Sequence, residues 1–217
     1  LGRRIFDNMT KAIAFIVAVH VPIAGLSMLP VFFRDWPLLL LPVHIAFLEL
    51  IIDPSCTLVF EAEPAEADVM QRPPRPPNAR LFSRSTVGMA LLQGLSVLAV
   101  CIAVFTLAMR SHPVDSARAL TFTTLVVGFL MVILVDRAKN RSWLAMLRAP
   151  NPAFRWVVAG TLVVLTVVLA VAPARSLFDF GPLHVADVAM SLLAGLLCAP
   201  WFVLLERWSR TTPRRAG

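Results

Sequence analysis

Residues 37–60 read PLLLLPVHIAFLELIIDPSCTLVF. A helix needs about 20 mainly apolar residues to cross a bilayer, and this stretch is long enough. Yet it carries two carboxylates, Glu49 and Asp53, with a proline directly after the second. A carboxylate at mid-membrane costs at least ~2.5 kcal/mol, so a pair of them calls for a compensating partner. Four residues separate them, which places both on one helical face, a turn apart. Pro54 has no amide hydrogen to donate, and its ring crowds the carbonyl of Leu50, four residues back. With Pro42 in the same run, the pattern predicts a span kinked or unwound between the two prolines. Backbone carbonyls would then be released beside two acids. Oxygen sets of this kind hold hard cations, and broken helices at mid-membrane are a common way to build an ion site. A second reading stands beside this one, in which the acids are protonated and serve as hydrogen-bonding glue between helices.

The rest of the chain has the same character. Of its 217 residues 58% are hydrophobic and only 15% are charged, with a mean hydropathy of +0.77. Soluble domains carry about a quarter charged residues, so a soluble enzyme is excluded. Six spans are predicted, over residues 12–33, 37–60, 86–109, 119–135, 156–172 and 188–205. The fold class is therefore an all-α membrane protein with six transmembrane helices, forming one domain over residues 1–217. No strand-period pattern supports a barrel. The chain starts at Leu1, without an initiator Met or a signal-peptide pattern, and reads as a fragment or a processed piece. Cys56, Cys101 and Cys198 all lie in apolar runs, and this odd number argues against a disulfide framework.

Orientation follows from the basic residues. Sixteen of the 20 Lys and Arg fall in the N-terminal segment, the loop 61–85, the loop 136–155 and the tail from Glu206. The other side holds Arg34, Arg110, Arg118 and Arg175. Both termini are therefore expected to be cytoplasmic, with the loop 61–85 on the same side. The net charge of +7 reflects this asymmetry, and its scatter over four segments does not suggest nucleic acid. In the loop, EAEPAEADVMQRPPRPPNARLFSRS turns from acidic to basic, and Pro73, Pro74, Pro76 and Pro77 favour an extended path.

The first span contains AVHVPIAG, residues 18–25. His20 followed by Pro22 repeats the pattern of a polar group just before a proline, inside an apolar run. His20 is a candidate ion ligand, a hydrogen-bond partner for the acids, or a proton acceptor near neutral pH. A satisfied core histidine is the plain alternative. His44 lies near the outer end of its span and is expected at the interface, while His112 and His184 are expected to be solvated.

Three stretches, in order and spacing, resemble a known family: GRRIFDNMTKAIAFIVAVHVPIAGL, then LELIIDP, then EAEPAEADVMQRPPRPP. They are similar to the C-terminal membrane half of bacterial cation-transporting P-type ATPases, in the branch of the calcium, sodium/potassium and proton pumps. Gly2, Arg3, Ile5, Phe6, Asn8 and Met9 match the segment that enters the fifth membrane helix from the phosphorylation domain. Asp53 matches the ion-binding acid of the sixth helix, and Glu49 takes the place of an Asn or Asp four residues earlier. Met70, Arg72, Pro73, Pro74 and Arg75 match the motif that follows. The resemblance implies that the six spans are the fifth to tenth helices of such a pump. It further implies that Glu49 and Asp53 are ligands of the transported cation, that His20 is a possible third, and that Pro54 and Pro22 are the helix breaks.

The chain departs from the calcium-pump pattern at several places. An Asn and a Glu three residues apart in the fifth helix become His20 and Ile23, and a Thr before the Asp becomes Ile52. The acid of the eighth helix has no counterpart in TTLVVGFLMVIL, residues 123–134. A site with fewer ligands is implied, for one ion per cycle or a proton.

Neither the Asp-Lys-Thr-Gly-Thr phosphorylation loop nor a GxxxxGK[ST] motif is present. No catalytic and no cofactor-binding residue is expected in this chain, so enzymatic activity is not assigned to it alone. ATP and Mg2+ are implied for the whole pump. The implied partners are the lipid bilayer, the cation, and the phosphorylation, nucleotide-binding and actuator domains. The implied location is a bacterial plasma membrane, multi-pass. The alternative function is a stand-alone six-helix secondary carrier or a non-catalytic membrane subunit. A carrier would be expected to repeat ELIIDP in its second half, and residues 119–205 hold no such counterpart.

Overall fold

A computed structural model of the chain describes residues 2–64, 83–137 and 151–211, with side chains to residue 205. The Met70 to Arg75 motif and most of the loop 61–85 lie outside the described residues. Among those described, every regular element is helical. α1 runs Gly2–Phe32, α2 Pro42–Pro54, and a π-helical turn Ser55–Phe60 continues it. α3 covers Arg84–Ala108, α4 Val114–Arg137 and α5 Pro152–Ala170. A short α6, Ala172–Leu177, precedes α7, Val185–Leu196, and α8, Cys198–Thr211. Six segments are long and apolar enough to cross a membrane: α1, α2 with its π turn, α3, α4, α5, and α7 with the start of α8.

α1 has 31 residues, about 46 Å at 1.5 Å each, more than the ~30 Å hydrocarbon layer needs. Its polar first turns, GRRIFDNMTK, can therefore stand clear of the apolar region. Pro42 does not break the second span but starts it. The nine residues before it, 33–41, are not helical, and Leu41 is extended at the N-cap. A proline at the first helical position loses no bond, because that amide has no partner in the helix anyway.

α4 is the centre of the bundle. Every residue from Ser116 to Arg137 is buried except Met131, which is half-buried. A helix apolar on all sides must be surrounded by protein or lipid, and here protein surrounds it. Close approach rests on small residues, as membrane bundles require. A Cβ on Gly94 of α3 would fall 2.4 Å from the Ala18 carbonyl oxygen of α1. One on Gly195 of α7 would fall 2.6 Å from Val127 Cβ of α4. Thr124 Oγ1 also donates to the Ser191 carbonyl across the second contact, at 3.2 Å. The three cysteines form no disulfide. α5 is mostly exposed, and large apolar side chains such as Trp156 and Val163 face outward from it, as a lipid-facing helix would have them.

Candidate ion-binding site

α2 is packed on one side and open on the other. His44, Phe47, Leu48, Ile51 and Ile52 are buried, whereas Leu50 and Asp53 are exposed and Glu49 is half-buried. The two acids thus lie together on the open side, as their four-residue spacing requires. One residue after Asp53, at Pro54, the α-helix ends. Pro54 offers no hydrogen to the Leu50 carbonyl, and the Ser55 amide donates to Ile51 and Ile52 instead. Six residues of π-helix follow. The span is rewound into a wider helix, not unwound as the prolines alone suggested. Two hydroxyls engage carbonyls at the break. Ser55 Oγ donates to the Ile51 carbonyl at 2.5 Å, and Thr57 Oγ1 to the Asp53 carbonyl at 2.8 Å. Single π turns within α-helices are often found at functional sites.

His20 is exposed on α1, and its Nδ1–H donates to the Ile16 carbonyl at 2.8 Å. Pro22 is buried inside α1, which continues past it to Phe32. Among the described residues, no three His, Cys, Asp or Glu side chains gather closely enough to hold a metal ion. His20, Glu49 and Asp53 therefore do not form a closed ligand set within this chain. Below them, a cavity of about 590 Å³ opens between the foot of α1 and the π turn, bordered by Arg4, Asn8, Cys56, Thr57 and Glu61.

A polar frame holds both ends of this span, and most of it was not foreseen from sequence. At the end where α1 begins, the turn after the π helix is tied from three helices. Arg4 Nε and Asn8 Nδ2 of α1 each donate to the Glu63 carbonyl at 3.0 Å. Arg137 Nε, at the end of α4, donates to Glu63 Oε2 at 2.8 Å. Asn151 Nδ2, at the start of α5, donates to the same oxygen and to the Val59 carbonyl, both at 2.9 Å. The Asn151 Oδ1 also accepts from the Phe154 amide, capping α5. An Asn followed by a Pro is a helix-start signal, so Asn151–Pro152 could have been read as a cap. The pairing of Glu63 with Arg137 leaves no local signal.

At the opposite end, in the first turn of α2, His44 is fully buried within the protein. Its Nδ1 accepts the Leu41 amide at 3.0 Å and its Nε2–H donates to the Phe178 carbonyl at 2.8 Å. Arg118 of α4 donates to the Leu38 and Asp179 carbonyls and pairs with the Asp179 carboxylate. Asp179 has φ +50°, a left-handed turn residue between α6 and α7. His112 is not left to solvent either, since its Nε2 sits 3.1 Å from Asp187 Oδ2.

Residues 37–208 match the family described as "Cation transporting ATPase, C-terminus". The chain belongs to this family. The cation-transporting ATPase match covers α2 with its acids and π turn, and the support helices after it. Individual relatives extend it to the first span. The "Calcium-transporting ATPase 1" of Schizosaccharomyces pombe is 28% identical over 220 residues, covering 100% of this chain and 24% of that protein. The "Calcium-transporting ATPase" of Bacillus subtilis is 27% identical over 207 residues, covering 94% of this chain and 23% of that protein. The "Sodium/potassium-transporting ATPase subunit alpha" of Drosophila melanogaster is 39% identical over 92 residues, 41% of this chain and 8% of that protein. The chain thus spans less than a quarter of the length of the two calcium-transporting relatives. As the membrane part of a cation-transporting P-type ATPase, with several apolar helices, it is a multi-pass membrane protein.

Proposed function

We propose that this chain is the ion-binding and translocating portion of an ATP-driven cation pump, with Asp53 and Glu49 as ligands of the transported cation. The observation that carries the reading is the two-sided character of α2. One face is packed and braced at both ends, while the other presents two carboxylates to open space just before a π turn. Acids kept on the open face of a membrane helix need a partner there. A cation stripped of water gains from anionic oxygens in a low dielectric. His20 is the candidate third ligand. Groups from helices outside this chain complete the set, since the described residues do not close one. Pro54 serves as the helix break, whereas α1 runs on past Pro22. Phosphorylation, nucleotide-binding and actuator domains supply the ATP and Mg2+ chemistry in the whole pump. Both termini face the cytoplasm.

The test is made on the full-length protein. Asp53→Asn preserves shape and removes only the charge. It abolishes cation-stimulated phosphorylation from ATP while the purified protein keeps its melting temperature. Glu49→Gln weakens the apparent cation affinity and leaves the maximal level. An Asp53→Asn protein that transports with wild-type rate and affinity would make the two acids structural glue.

A further inference from the structure

We infer that His44 is a positioning residue for the cation site, setting the rotation of α2 from the far side of that helix; this rests on the reading of Glu49 and Asp53 as cation ligands. His44 and Asp53 are nine residues apart on one uninterrupted α-helix. At 3.6 residues per turn they point in opposite directions, separated by about 14 Å along the axis. A turn of α2 that lifts His44 from its partner therefore swings Asp53 the other way by the same angle.

The imidazole makes two bonds that only a neutral ring with Nε2–H can make together. Nδ1 accepts the Leu41 amide, closing the first turn of α2 on itself, and Nε2–H donates to the Phe178 carbonyl in the turn after α6. Phe178 and Phe180 lie against the ring, the latter stacked at 4.9 Å between centroids, together with Phe122 of α4 at 5.0 Å. Arg118 holds the other strand of the same junction by donating to the Leu38 carbonyl. The ring has no exposure through which another ligand could reach it. Phe47, Leu48, Ile51 and Ile52 pack on the same side of α2 through apolar contact, which is non-directional. The bond to the Phe178 carbonyl is directional and allows one azimuth. Misplacement of a reacting or binding group by about 1 Å, caused at a distance, can cost on the order of a hundredfold.

Three variants of the full-length protein separate this role from simple filling of the aromatic box. Phosphorylation from ATP is measured against calcium, manganese, sodium and potassium chlorides, each titrated alone, with melting temperature recorded in parallel. His44→Leu keeps an apolar volume and loses both bonds. It raises the half-saturating concentration of the activating cation about tenfold with the maximal level retained. His44→Gln has one acceptor and one donor and recovers affinity to within about threefold of wild type. Phe180→Leu, which disturbs the box without touching either bond, leaves affinity unchanged whatever it does to melting. If His44→Leu binds cation as wild type does, or if Phe180→Leu loses affinity to the same extent as His44→Leu, the positioning role is overturned and the ion-site reading stands. If wild type is phosphorylated equally with and without every one of the four cations, and equally at acid and neutral pH, the ion-site reading falls and the role of His44 falls with it.

Discussion

The Glu63 carboxylate and the Arg137 guanidinium are 1% and 2% exposed, and their contact spans 74 positions of sequence. Withdrawing two ions from water costs several kcal/mol each, so such a pair contributes little net stability but is costly to break. Arg137 also lies over the Phe154 ring at 4.3 Å, which fixes its plane. Removing Arg137 takes the opposite charge away from a buried carboxylate, to which Asn151 still donates. Arg137→Ala is expected to destabilise the protein by about 3–5 kcal/mol. The joint variant Glu63→Gln with Arg137→Met removes both charges and keeps an acceptor for Asn151; it stays close to wild type. Thermal unfolding in detergent measures both, and equal losses for the two would mean that the charges themselves do not matter. Sequence reading placed Arg137 among the basic residues of one loop and Glu63 in the acidic half of another. Each assignment is sound locally. Their pairing is a product of the fold, and one sequence cannot show it. Asp53 and Glu49 were legible for the opposite reason: an acid in an apolar run stands out by its cost alone.

Among the elements, the span holding the acids was the easiest to find and the hardest to draw. Two prolines in one run suggested a helix broken between them. Pro42 instead sits where a helix has no bond to lose, and Pro54 sits where the loss is absorbed by a change of helix type. The distinction depends on the non-helical residues before Pro42, which an apolar run such as PLLLLP does not announce. Between Arg118 and Asp136, α4 carries no charged residue, and such an apolar run looks the same in sequence whether lipid or protein surrounds it. Its burial is a consequence of what packs around it. Gly94 was likewise invisible as a contact. Gly94→Leu is expected to force α1 and α3 apart, because even its Cβ has no room beside the Ala18 carbonyl and Val21. Lower yield of folded protein in detergent is the measurement. Gly88, with nothing nearby, serves as the control that should tolerate the same change. Pro54→Ala is the sharper experiment on α2. It restores an amide hydrogen for the Leu50 carbonyl and lets the α-helix extend into residues 55–60. Interior prolines cost a helix about 3 kcal/mol, so the variant is expected to melt higher than wild type. It is also expected to bind the cation more weakly, although both acids remain, because the wider turn that follows Asp53 is lost. Higher stability with unchanged affinity would separate the π turn from ion binding.

For the molecule as a whole, the disposition of charge decides which way it sits in the membrane. Six spans are expected to put both termini on one face, together with the four segments that hold sixteen of the 20 Lys and Arg. Basic residues in short loops favour the cytoplasmic side, whereas acidic ones contribute little. Among the described residues, Arg137 pairs with Glu63 at one end of the bundle and Arg118 with Asp179 at the other. The face with the termini is also where Arg4 and Asn8 of α1 grip the carbonyls of the turn at residues 61–63. A displacement of the foot of α1 is therefore passed to the π turn through hydrogen bonds to main chain, while Arg137 and Asn151 hold the Glu63 side chain against α4 and α5. That arrangement suits a pump whose driving domains enter at α1 from the cytoplasm. It has no such use if the termini face outward. Cysteine labelling in intact cells tests the orientation, with Cys56, Cys101 and Cys198 first replaced by Ala. Gln71→Cys, in the loop 61–85, is expected to resist a membrane-impermeant maleimide until the cells are opened. Arg34→Cys, in the non-helical stretch between α1 and α2, is expected to react from outside. The opposite pattern would turn the molecule over. It would also place the α1 contacts with the 61–63 turn on the side of the membrane where no ATP is available to move them.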